Sequence, residues 1–144
     1  MAELQARSLD SPEQTMTFDN GKAEIVTVAG SSVGRFTFQP GWRWSESVKK
    51  LAGTDSCQTH HVGYAMAGHL HVMTDDGSEQ DIRAGDAYNI PPGHDGWVIG
   101  DEAFLSVELR TAANDTQTTA ANVRNATLKR LSPLVDRCVQ RQGL

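Results

Sequence analysis

Gly85-Asp-Ala-Tyr-Asn-Ile-Pro-Pro-Gly-His-Asp-Gly-Trp97 is the stretch on which the fold turns. Its Gly-Asp and Pro-Pro-Gly corners separate short apolar runs, the punctuation of strand, tight turn and strand in an all-β fold. Nothing in it carries a helical period. Downstream, 97–99 reads as a strand, Gly100-Asp101-Glu102 as a turn, and 103–109, which has neither Pro nor Gly, as a central strand.

Upstream of the anchor, Thr74-Asp75-Asp76-Gly77-Ser78 reads as a hairpin turn and 79–83 as its return strand. Before that turn lies a strand with a bend or bulge at Gly68. Leu70 and Val72 form its apolar face. His69 and His71 therefore point to solvent, and their His-x-His spacing is read as the polar side of an alternation before a metal clip.

Cys57-Gln58-Thr59-His60-His61 comes next. On an extended chain Cys57, Thr59 and His61 share one face, so a thiol and an imidazole can converge on one ion. A buried Cys packed as a small apolar group is the other reading.

From 40 to 55 the polar content and glycines predict a long connection or a helical turn across the mouth of a barrel. Trp42 and Trp44 fall two apart in it, and one is expected to face inward and the other outward. Further back, Asn20-Gly21 predicts a hairpin, with strands over 23–28 and 33–38 around Gly30-Ser31-Ser32. Residues 1–15 read as a flexible arm and 16–110 as the barrel. Residues 111–144 read as a polar linker and a short C-terminal helical tail, with Ser132-Pro133 as a helix start.

With 144 residues, 38% hydrophobic and 22% charged, the chain suits one globular domain. A net charge of -5 without a basic cluster argues against nucleic-acid or anionic-membrane partners. The polar start and the absence of a long apolar run predict a cytoplasmic protein. On that basis Cys57 and Cys138, its only cysteines, are expected to be reduced.

The stretch resembles the cupin family. Gly85, five residues, Pro91, Pro92, Gly93 matches the family's second motif, and Gly68 stands at the terminal glycine of the first. Counting back, His61 falls at the family's glutamate position and Cys57 at its second histidine, while Asp55 stands at its first. Gly96 occupies the second motif's histidine position, with His94 two residues earlier on the same strand parity. The phrase Ile-Pro-Pro-Gly-His-Asp-Gly-Trp also looks like that of small bacterial cupins. The resemblance implies a jelly-roll or β-barrel of two antiparallel sheets.

The usual three-His, one-Glu ligand set is not present residue by residue. The set available in its place is Cys57, His61 and His94, which suits Zn²⁺ or Fe²⁺, with Ni²⁺ and Cu²⁺ also compatible, and leaves an open coordination position. The alternative is a barrel without metal. The expected ligand pocket is Trp42, Trp44, Thr59, Tyr64, Met66 and Trp97, side chains that either line or plug the interior. Glu108, at the alternate positions of the last strand, is expected in solvent. These features predict a divalent metal and a small organic ligand in the barrel, in a homodimer. An oxygenase, isomerase or lyase is the enzymatic version; a non-catalytic ligand-sensing or accessory cupin is the alternative, and no catalytic residue is assigned.

Overall fold

The computed structural model describes residues 3–111. The helical tail, its Ser132-Pro133 start and Cys138 lie outside them.

Among the described residues, alternating and β-branched runs form nine strands: β1 (Gln14–Phe18), β2 (Gly21–Val28), β3 (Ser31–Phe38), β4 (His61–Ala67), β5 (His69–Thr74), β6 (Glu79–Arg83), β7 (Ala87–Ile90), β8 (His94–Val98) and β9 (Phe104–Arg110). The 39–60 connection contains two single-turn helices, α1 (Trp44–Ser47) and α2 (Lys49–Ala52). All pairings are antiparallel, in a six-stranded sheet ordered β1-β2-β3-β9-β4-β7 and a three-stranded sheet ordered β6-β5-β8. The expected central strand is β9, seated between β3 and β4.

Turn chemistry sets the registers. Phe18 pairs with Gly21 and Val28 with Ser31, so each hairpin closes through two residues. Left-handed backbone at Asn20 (φ 59°) and at Ala29 and Gly30 (φ 49° and 78°) supplies the twist such loops need. Gly68 is a bend between β4 and β5, and a bulge lies two residues earlier, at Met66, where the β4–β9 register slips between Ala65 and Ala67. Gly68 has φ 82°, and a Cβ there would collide with the Ala103 carbonyl, so no other residue fits without backbone movement.

Between the sheets lies the core, with Phe104, Val48, Ala23 and Ala65 at or near zero exposure. The segment before β1 is pinned to the sheet. Glu13 N–H donates to the Ile25 carbonyl (3.0 Å) and Ala29 N–H to Gln5 Oε1 (2.9 Å). Arg35 donates to Glu24, Asp10 and the Leu9 carbonyl at 2.9–3.2 Å. That guanidinium holds the buried Glu24 carboxyl below its ordinary value. Among the described residues no helix is long and apolar enough to cross a membrane.

On the outer face of the small sheet, His69 and His71 point away from the core, as their alternation requires. His69 Nε2 and His71 Nδ1 both reach Asp81 Oδ1 (2.9 and 2.8 Å), and His71 Nε2 reaches Glu79 (2.7 Å). Hydrogen bonds donated to Asp81 and Glu79 raise the His71 pKa, and those that Asp81 accepts from His71 and His69 lower its own to about 2. His71 therefore stabilises the fold below its ordinary 6.5 and loses that contribution as pH rises through its raised folded value. Asp81 contributes above its ordinary 3.8 and loses it as pH falls toward 2. The melting-temperature difference between wild type and Asp81→Asn should thus peak between about pH 4 and 6.5 and shrink on both sides. A difference that is flat with pH would refute this pairing.

Candidate metal centre

His61 opens β4 and His94 opens β8, on facing sheets. Cys57 reaches them by a different route from the one expected. It is not in a continuous strand with His61, but makes an isolated antiparallel bridge to His94. Cys57 N–H donates to the His94 carbonyl (2.8 Å), and the N–H groups of Gly93 and His94 donate to the Cys57 carbonyl (2.7 and 3.2 Å). One ligand atom from each of Cys57, His61 and His94 lies within 4.8 Å of the others.

The tautomer of His94 follows from its partner. A carbonyl oxygen only accepts, so Nδ1, 2.7 Å from the Pro91 carbonyl, carries the proton and Nε2 keeps its lone pair. Burial, helped by neighbouring His61, lowers its pKa to about 3, which keeps the ring neutral. His61 is held the same way, with Nδ1 2.7 Å from Glu108 Oε1 and Nε2 3.6 Å from Cys57 Sγ. The two rings meet edge to face at 5.2 Å.

Glu108 corrects an expectation. It is buried, because β9 directs Phe104, Ser106, Glu108 and Arg110 inward while Leu109 is 48% exposed. The apolar 105, 107 and 109 series had pointed the other way. Its second oxygen accepts from the Tyr88 hydroxyl at 2.6 Å. This bond needs Gly63: register sets Tyr88, Gly63 and Glu108 side by side across β7, β4 and β9. A Cβ at 63 would stand 2.8 Å from both Glu108 Cγ and the Tyr88 hydroxyl oxygen. Burial, then the Glu108 charge, pushes the Tyr88 pKa well above its ordinary value, so the phenol stays a donor. Burial of Phe104 at the same parity was the signal in the sequence for Glu108; nothing there signalled its bond to Tyr88.

Beside the ligand atoms is a cavity of about 60 Å³, walled by Phe36, Leu70, Val72, Ile90 and Phe104. Gly96, at the position of the absent motif histidine, lines it too. Trp42 and Trp44 both line it and are both buried, against the expectation that one would face outward: Arg43 between them is extended, and residues two apart on an extended backbone share a face. Trp42 stacks on Phe38 with centroids 3.8 Å apart.

Four expected pocket residues are not on its wall. Tyr64 and Met66 are 50% and 40% exposed, since Ala65 between them takes the inner face of β4. Trp97 sits on the outer face of β8, between inward Gly96 and Val98, where the Arg43 guanidinium lies 4.1 Å from its ring centroid. Thr59 is buried away from the cavity wall.

The cysteines bring another correction. Among the described residues no cysteine is free: Cys57 is disulfide-bonded, against the expectation of reduced thiols. That expectation came from the compartment, whereas a bridge depends on proximity, which spacing in the sequence does not reveal. A disulfide sulfur offers a cation no thiolate, so the Cys57, His61 and His94 set is complete only after reduction.

The sequence matches no family model and no curated protein. Solved structures do match. A Cupin 2 conserved barrel domain protein from Salinispora arenicola CNS-205 is 22% identical at a TM-score of 0.54, over 78% of this chain and 92% of that one. A protein of unknown function from Rhizobium leguminosarum bv. viciae 3841 is 17% identical at a TM-score of 0.51, over 76% of this chain and 97% of that one.

Proposed function

From a chain with the cupin fold, we propose a redox-conditional metal centre: in the reduced protein Cys57, His61 and His94 hold a divalent transition metal, and the adjoining cavity binds a small organic ligand. One observation carries this reading. Both imidazoles have their Nδ1 engaged, by Glu108 and by the Pro91 carbonyl, which leaves each Nε2 lone pair for the centre that Cys57 Sγ shares. A carboxylate that accepts from the far ring nitrogen and fixes the ring is the usual companion of a metal-bound histidine. Thiolate with two neutral imidazoles favours Zn²⁺ or Fe²⁺. Such an ion supplies a Lewis acid at its open position. Glu108 fixes His61, Tyr88 fixes Glu108, and the aromatic walls exclude water.

The disulfide at Cys57 favours a second reading for the oxidised protein, a metal-free barrel that binds ligand without turnover. Elemental analysis of untagged protein after anaerobic reduction, beside the oxidised form, separates the two. About one equivalent of metal is expected in the reduced form and only traces in the oxidised one. No metal in either would remove the metal centre.

Glu108→Gln tests the supporting carboxylate. The amide keeps the shape but cannot accept from both Tyr88 and His61 as a carboxylate does. Metal affinity of the reduced protein should fall about 10- to 100-fold. An unchanged affinity would make the His61–Glu108 contact merely structural.

A further inference from the structure

Of the inward positions of β8, His94, Gly96 and Val98, the middle one has no side chain. The backbone gives no reason for glycine there. Its φ lies outside the left-handed range, and a Cβ would stand 3.4 Å from the His71 carbonyl oxygen and 3.7 Å from Val72 Cγ2. Apart from its chain neighbours, no other atom of the described residues comes within 4 Å of that point. Gly63 is the contrast, since a Cβ there would stand 2.6 Å from the Val107 carbonyl oxygen. Glycine in a strand interior weakens the strand, and alanine is the better residue wherever φ and space allow it. What glycine supplies at 96 is room, and that room belongs to the cavity, whose wall it shares with His94 and its cross-strand partner Val72.

We infer that Gly96 sets the size of the ligand that the cavity admits, and that this ligand is a compact molecule with a single metal-binding atom on an apolar body. The size follows from the cavity, because about 60 Å³ holds on the order of five water-sized groups. A methyl group is about one such group, so alanine at 96 takes on the order of a fifth of the room and leucine most of it.

The chemistry follows from the polar atoms around the cavity and rests on the proposed metal reading. Glu108 gives one oxygen to His61 and the other to Tyr88, and His94 Nδ1 is held by the Pro91 carbonyl. The indole N–H groups of Trp42 and Trp44 are sealed from contact. The converging atoms of Cys57, His61 and His94 are taken by the ion. An incoming molecule therefore meets one polar anchor, the open position of the ion, among the side chains of Phe36, Leu70, Val72, Ile90 and Phe104. A second polar group on it would lose its water without a replacement.

Wild type, Gly96→Ala and Gly96→Leu are compared as full chains after anaerobic reduction. Xenon binding is read by ¹²⁹Xe NMR on the metal-free proteins, and the zinc-loaded proteins are titrated calorimetrically with ethanethiol and 1-butanethiol. Wild type should bind xenon saturably and both thiols, and all the variants should still take up zinc. Gly96→Ala should melt no lower than wild type and keep ethanethiol within about twofold while weakening 1-butanethiol about fivefold or more. Gly96→Leu should lose xenon and both thiols. Absence of xenon from wild type, or wild-type xenon binding in Gly96→Leu, overturns the inference. So does a Gly96→Ala protein in which ethanethiol suffers as much as 1-butanethiol. If Gly96→Leu does not fold, the alanine comparison decides. Because xenon is read without metal, its loss in Gly96→Leu beside a wild type that takes no zinc leaves the role of Gly96 standing and removes the metal centre. Zinc uptake with xenon binding untouched by leucine does the reverse.

Discussion

Alanine at His61 should leave the reduced protein without stoichiometric metal, and alanine at His94 should do the same. Each removes one of the three converging ligands. The loss should exceed the roughly 10- to 100-fold expected for the supporting carboxylate. The two variants fail differently in structure, which makes the pair informative. His61→Ala deprives buried Glu108 of one of its hydrogen-bond partners, so its stability should fall as well. His94→Ala leaves Glu108 its partners and instead removes the bond to the Pro91 carbonyl at the β8 corner and the edge-to-face contact with His61. His60→Ala is the control, since His60 bonds outward to Asn89 and contributes no ligand atom. Elemental analysis and zinc-dependent thermal shifts of the three reduced variants provide the check. One equivalent retained in either His61→Ala or His94→Ala would sink the three-ligand centre.

Phe104→Ala should be the most damaging core substitution, costing about 3–5 kcal/mol. Phe104 is fully buried where β9 meets both the core and the cavity wall, with its ring 6.2 Å from that of Phe38. Its removal would enlarge an existing cavity that the stiff sheets cannot close. Leu109→Ala, five residues along the same strand but 48% exposed, should stay within about 0.5 kcal/mol of wild type. Urea melts of the two variants measure the contrast. A Phe104→Ala loss below about 1 kcal/mol would mean that the sheets collapse around the gap.

Much of this architecture was legible because turn residues and strand parity are local signals. The corners at Gly85-Asp86 and Pro91-Pro92-Gly93 and the bend at Gly68 are written in single residues, and they set the strands between them. Parity also carried His61 and His94 to the interior. It failed where a strand's two faces are both partly apolar: in β4, Tyr64 and Met66 outweighed Ala65, and in β9, Leu105, Val107 and Leu109 outweighed Phe104. Size and hydrophobicity pointed to the wrong face, and Glu108 was lost with it. Trp42 and Trp44, two apart across the extended Arg43, share a face by that same parity, which the expectation of one indole outward had misapplied. The Tyr88–Glu108 bond depends on register across β7, β4 and β9, which no window of sequence contains.

The backbone bridge between Cys57 and His94 bears on how metal preference could change over evolution. The position of residue 57 is inherited from main-chain pairing, so whichever side chain stands there is delivered to the same point. Exchanging sulfur for a carboxylate or an imidazole would shift the ensemble of accepted cations from soft toward hard while the scaffold stays as it is.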